Sequence, residues 1–169
     1  MFFPWVMAFS AFLTASDLKN GSFEESYCGL PCLWQPWGWD WCGNFAYFVA
    51  RDDKTSGEQS LKIVDSDPGS NIVSFGQEVD LSRYAGWGAK FDFAVQAKWV
   101  GGSEAPRLRV YDFEERKYYF SSPLATAGIW QELCVVFPVT GRTRRVEVMI
   151  CAAEPVQWGA IGEGVHFFT

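Results

Sequence analysis

Four tryptophans, Trp34, Trp37, Trp39 and Trp41, stand within the stretch YCGLPCLWQPWGWDWCGNFAYF that runs from Tyr27 to Phe48. An indole face packs against the C–H face of a pyranose ring, and polar neighbours such as Gln35, Asp40 and Asn44 suit hydroxyl groups. Three readings of the cluster stay open. The first is a stacking platform with Trp34, Trp37, Trp39, Asp40 and Trp41 as contact residues. The second is a satellite core beneath a long loop. The third is an interface with protein or lipid, where tryptophan is enriched. Prolines and glycines in the stretch argue against a long regular element there.

The same stretch carries Cys28, Cys32 and Cys42, and two more cysteines follow at Cys134 and Cys151. In an oxidising compartment this number implies one or two disulfides and a thiol left over, with no more than three free thiols in all. Cys134 and Cys151 fall on segments that read as strands, and a cross-strand bridge between them needs their Cα atoms within about 7 Å. The C-x3-C-x9-C spacing matches no common zinc finger.

Acid–base and nucleophilic designs find little material. The one histidine, His166, lies close to the C-terminal end of the chain. Glycoside hydrolysis needs two carboxyl groups about 5–9.5 Å apart, and no motif isolates such a pair. Asp52-Asp53, Asp65 with Asp67, and Glu114-Glu115 sit in turn-like stretches and are expected to be solvated. No catalytic residue is assigned, and a non-catalytic protein is expected. Net charge is −6, with one basic cluster at Arg142, Arg144 and Arg145. That balance speaks against a nucleic-acid backbone as partner, and the cluster reads as strand-edge charge.

The elements that must position these residues read as strands. With 169 residues, 49% apolar, the chain suits one domain with a real core. Short alternating runs stand between Gly, Pro, Asn and Asp clusters: Ser60 to Val64, Ile72 to Phe75, Gln77 to Leu81, Lys90 to Trp99, Leu108 to Tyr111, Lys117 to Phe120, Trp130 to Phe137 and Arg145 to Ile150. In the fourth run Phe91, Phe93, Val95 and Ala97 share one face. No window keeps a helical period over four turns. The pattern predicts an all-β antiparallel sandwich over 17–169 with a Trp/Cys-rich loop at 27–48. Tyr84, Trp87, Trp99 and Trp130 are expected in its core.

Residues 1–16 form a separate apolar segment. It is uncharged up to Ala15 and too short to span about 30 Å of hydrocarbon. It resembles the apolar part of a signal peptide, without the usual leading Lys or Arg. If retained, Pro4 suits the first turn of a short helix over 4–15. Phe2, Phe3, Trp5, Phe9 and Phe12 would then dock the protein against a partner or a membrane.

The opening Asn20-Gly21-Ser22-Phe23-Glu24-Glu25 resembles that of the carbohydrate-binding modules of the family 4/9 type, which are galactose-binding-like jelly-roll sandwiches. Later landmarks keep the order: Gly57 to Ile63, Gln77-Glu78-Val79-Asp80-Leu81 with Tyr84, Trp130 to Phe137, and Gly164-Val165-His166-Phe167. The resemblance implies a jelly roll over 18–168 and a non-catalytic glycan-binding module outside the cytoplasm, periplasmic or extracellular. It also implies a structural calcium between Glu24 and a carboxylate in the last strand. Phe168 stands in that carboxylate's place, so no cofactor is assigned and Glu24 remains the one metal candidate. The alternative is an accessory subunit of a membrane-associated complex, docked through the N-terminal segment and the Trp-rich loop.

Overall fold

The computed structural model describes residues 10–12, 18–37, 45–65, 73–102, 105–153 and 164–168. Among the described residues thirteen strands follow in order: β1 Ser10–Phe12, β2 Ser26–Tyr27, β3 Leu30–Pro31, β4 Gln35–Trp37, β5 Phe45–Ala50, β6 Ser60–Asp65, β7 Val73–Asp80, β8 Lys90–Gly102, β9 Arg107–Asp112, β10 Lys117–Phe120, β11 Trp130–Pro138, β12 Arg145–Ala153 and β13 Gly164–Phe168. The alternating runs read from the sequence fall on these strands, apart from Leu81, which follows β7, and Ile72, which lies outside the described residues. One sheet is five-stranded and antiparallel, in the order β10-β9-β12-β7-β4. The other is six-stranded, with β8 at its heart: β11 pairs one edge of β8, while β13 and the short parallel β1 share the other, and β6 and β5 continue beyond β13.

The core lies between the two sheets. Alternation puts Phe91, Phe93, Val95 and Ala97 of β8 and Leu133, Val135 and Phe137 of β11 on the inner face of one sheet. Phe75, Leu108, Val110, Val146, Val148 and Ile150 line the other. Antiparallel strands without covering helices need only one apolar face, so a period of two suffices to build this sandwich.

The segment 18–37 closes over one side of the core as an arch pinned by side-chain amides. Gln77 donates to Lys19 O and accepts from Lys19 N (3.0 and 3.1 Å). Asn20, in the left-handed region at φ 50°, donates to Glu25 O and Cys32 O (2.7 and 3.0 Å). Gln59 donates to both Phe23 O and Glu24 O at 2.7 Å. The Asn-Gly-Ser-Phe-Glu opening is thus a turn whose Asn side chain satisfies the backbone that the turn leaves unpaired.

Several expectations need correction. Residues 10–12 are a parallel strand on β8, not part of a helix over 4–15. Phe12 ends that strand, while Phe2, Phe3, Trp5 and Phe9 lie outside the described residues. Trp87 is 69% exposed instead of buried. Asp53 is not a solvated turn residue: it accepts from Lys98 Nζ at 2.6 Å and from Trp130 Nε1 at 3.0 Å, tying the 51–58 turn to β8 and β11. Glu114 accepts from the backbone N–H groups of Arg144 and Arg145 (2.8 and 3.0 Å), linking two turns.

The cysteines differ as well. None of Cys28, Cys32, Cys134 and Cys151 is in a disulfide, which makes four reduced cysteines where three at most were expected. Cys134 lies on β11 and Cys151 on β12, which belong to different sheets. Cys134 is exposed on the outer side of one sheet, and Cys151 is buried beyond the core on the other. Cys28 sits in the turn of the β2–β3 hairpin, whereas Cys32 lies opposite Glu25 at its base. Three residues of strand, about 10 Å, exceed the span of a disulfide. Cys42 lies outside the described residues.

Candidate functional site

The outer face of the five-stranded sheet carries the residues best suited to hold a ligand. Register fixes its rows, since directly opposed residues share a face. Phe120, Arg109, Met149, Gly76 and Gln35 form one row, and Tyr118, Tyr111, Glu147 and Glu78 form the next. On the other side of the Met149 row, Arg107, Cys151, Ser74 and Trp37 are aligned.

Four aromatic rings follow one another along the β9–β10 side. Phe113 meets Tyr111 edge-on at 5.1 Å between centroids, Tyr111 lies 4.5 Å from Tyr118, and Tyr118 stacks with Phe120 at 6.1 Å. Tyr118 and Phe120 remain 50% and 47% exposed. Cations brace this ladder: the Arg109 guanidinium lies 5.5 Å from the Tyr118 centroid, and that of Arg145 4.7 Å from Phe113. The β9–β10 hairpin holds the rings in place. At its turn, buried Asp112 accepts from the N–H groups of Glu114 and Glu115 (3.0 and 2.9 Å) and from the Thr143 hydroxyl (2.7 Å).

The floor of the face is β12. Met149 and Cys151 point away from the core yet are fully buried. Gly76 makes room for the floor: a Cβ there would stand 2.6 Å from Val148 O and 2.9 Å from Met149 Cγ. Gly76→Ala is therefore expected to cost about 1–2 kcal/mol by overpacking, read as a lower denaturation midpoint. Met149 Sδ accepts from Arg109 Nη2 at 2.7 Å, which holds the guanidinium over the floor.

Glu147 is the unusual group on this floor. It is 6% exposed, and its Oε1 has no hydrogen-bond partner among the described residues. Burial pushes its carboxyl up to about 7; nearby Arg109 opposes that rise, and Glu78 directly across on β7 adds to it. Glu78 itself is held by Arg145 at 3.2 Å.

The residues singled out in the sequence fare differently. Trp34 is no platform: it is 6% exposed, stacks 6.3 Å from Phe75 in the core, and donates its indole N–H to Asn20 O. Its neighbour Trp37 is on β4, aligned with Ser74 of the outer face. Trp39, Asp40 and Trp41 lie outside the described residues. The sequence reading passed over Tyr111, Tyr118 and Phe120. The alternation of 107–112 and 117–120 was a usable signal, because it leaves Tyr111, Tyr118 and Phe120 on one face once the two strands pair.

Glu24, the one metal candidate, has its carboxylate engaged within the chain. The Glu24 carboxylate accepts from Glu58 N (2.9 and 3.1 Å), and the neighbouring carbonyls of Phe23 and Glu24 already accept from the Gln59 amide. Gly57 closes over the carboxylate so tightly that any side chain there would collide with Glu24 Oε1. One carboxylate with its oxygens so engaged does not make a calcium site. The described residues hold no group of three or more His, Cys, Asp or Glu placed to bind a metal, and no helix among them is long and apolar enough to cross a membrane.

No protein-family model and no curated protein sequence matches the chain. Solved structures do. A putative sugar-binding protein from Bacteroides thetaiotaomicron superimposes with TM-score 0.61 at 10% identity, over 90% of this chain and 96% of that one. The enzymatically active domain of bacteriophage CBA120 tailspike protein 4 gives TM-score 0.60 at 13% identity, over 89% of this chain but only 20% of that one. A CBM4 structure gives TM-score 0.57 at 18% identity, over 89% and 94%. At these identities the likeness concerns the backbone, and it establishes the fold: the chain is a jelly-roll sandwich of the kind found in carbohydrate-binding modules.

Proposed function

We propose that the protein is a non-catalytic glycan-binding module that works outside the cytoplasm and holds its ligand across the outer face of the five-stranded sheet. The observation that carries this reading is the Phe113–Tyr111–Tyr118–Phe120 ladder. Two of its rings, Tyr118 and Phe120, are half-exposed, all four follow one another at 4.5–6.1 Å, and they are fixed by a hairpin and by stacked guanidinium groups. Rings held in place before the ligand arrives bind with little loss of side-chain entropy. Sugar rings present apolar C–H faces to such a surface, while their hydroxyls suit polar groups along the same face: the arginines beside the rings, and Glu78 and Gln35 toward the far edge of the sheet. The fold shared with carbohydrate-binding modules supports the same reading, although fold alone does not decide a function.

Affinity electrophoresis and calorimetry against xylan, β-glucan, galactan and polygalacturonate test it. Binding to at least one polysaccharide is expected, and Tyr118→Ala should weaken that binding roughly tenfold or more, as loss of a central aromatic contact does. Its melting temperature should be unchanged, since Tyr118 is half-exposed. Absence of binding to every polysaccharide at millimolar sugar removes the reading. Wild-type affinity in Tyr118→Ala moves the site off this face.

A further inference from the structure

We propose that the glycan is anionic, and that a carboxylate on it is held by Arg107 and Arg109 beside the exposed rings. This rests on the glycan reading above and adds to it the charge class of the ligand. The two arginines occupy successive outward positions of β9, and both are half-buried. Phe120 lies directly across from Arg109, on β10. Toward the sheet centre they are aligned with Met149 and Cys151, then Gly76 and Ser74. This half of the face therefore carries two guanidinium groups and, among the described residues, no carboxylate. The acidic side chains lie in the other half, where Glu78 is bridged to Arg145.

The asymmetry is notable in a chain of net charge −6, whose overall field would keep a polyanion away. An arginine next to an aromatic ring offers two complementary surfaces. The ring takes the C–H face of a sugar, and the planar guanidinium takes a carboxylate in a paired, charge-assisted contact that an ammonium or a neutral amide does not reproduce. Arg109 is already oriented for this, stacked at Tyr118 and resting on Met149 Sδ. A thioether is a weak acceptor, so a carboxylate would compete for those same N–H groups. A uronate unit, with a carboxylate attached directly to the pyranose ring, brings both features together.

The test compares polygalacturonate with its methyl ester, which keeps the backbone and removes the charge, at 50 and 300 mM NaCl. Wild-type protein should bind polygalacturonate at least tenfold more tightly than the ester, with the preference shrinking at high salt. Arg107→Gln should remove most of that preference without lowering the melting temperature. Dextran sulfate serves as a second polyanion. Equal binding of the ester and the acid, or tight binding to neutral polysaccharides alone, overturns the inference and leaves the glycan reading standing. Dextran sulfate bound as tightly as polygalacturonate would make charge alone the attraction and overturn the carboxylate assignment. No binding to any polysaccharide overturns both.

Discussion

Raising the pH from 5 to 8 is expected to lower the stability of the folded protein, and Glu147→Gln is expected to abolish most of that loss. The folded chain holds the Glu147 proton up to about pH 7, because its carboxyl is buried and faces Glu78, whereas the ordinary value is 4.5. Below 4.5 both folded and unfolded chains are protonated at this position, and nothing is gained or lost. Between 4.5 and 7 the folded chain keeps a proton that the unfolded chain has given up, so stability falls as pH rises. Above 7 both are ionised and the loss is complete. At 1.36 kcal/mol per pH unit of separation, the full effect is about 3 kcal/mol. This slope is opposite to that of carboxylates held by hydrogen bonds, which are lost toward acid. Urea midpoints at pH 5 and pH 8 measure it. Glu147→Gln replaces the carboxyl by a neutral group of the same shape and should give nearly equal midpoints. A parallel fall in wild type and variant would place the titration elsewhere.

Asp112→Ala is expected to cost a similar amount, about 3 kcal/mol. The side chain is fully buried and its carboxylate accepts three hydrogen bonds, two from the turn of the β9–β10 hairpin and one from Thr143. Removing it strands the Glu114 and Glu115 N–H groups and the Thr143 hydroxyl, each costing up to one or a few kcal/mol where water does not reach it. The turn also contains Arg116 at φ 54°, a left-handed conformation that a residue with a side chain adopts at a cost. Without Asp112 nothing offsets that cost, and β10 loosens. Because β10 carries Tyr118 and Phe120, glycan affinity should fall together with the unfolding midpoint. Asp112→Asn keeps an acceptor for the turn and should retain most of both. A normal midpoint in Asp112→Ala would show that Thr143 and the turn find other partners.

The strands and the core were legible in the sequence because both follow from a local rule. In Lys90 to Trp99 and Trp130 to Phe137 the apolar residues alternate, and alternation alone decides which side is buried once a strand forms. The jelly-roll order was legible for a related reason: landmarks such as Asn20 and Gln59 are polar residues with structural tasks, and they recur in the chain in the order in which the arch and strands need them. The tryptophan count in 34–41 was a weaker guide. An indole serves equally well in a core or on a surface, and Trp34 went to the core because its N–H reaches Asn20 O while its ring covers Phe75.

By itself, then, the sequence determined an all-β sandwich, its inner faces and the lack of any acid–base motif. Tertiary structure alone decided the face proposed to bind. Tyr111, Tyr118 and Phe120 form one ladder because β10 pairs β9 in a register that puts Tyr118 opposite Tyr111 and Phe120 opposite Arg109. The Glu147–Glu78 pair exists because β12 lies beside β7, and at this register the two residues are 69 apart in the chain, a pairing that neither strand announces by itself. The same holds for the thiols: Cys134 and Cys151 look like neighbours along the chain, but consecutive strands β11 and β12 lie in opposite sheets. Pairing between strands is set by long-range packing, which a local pattern of side chains does not encode.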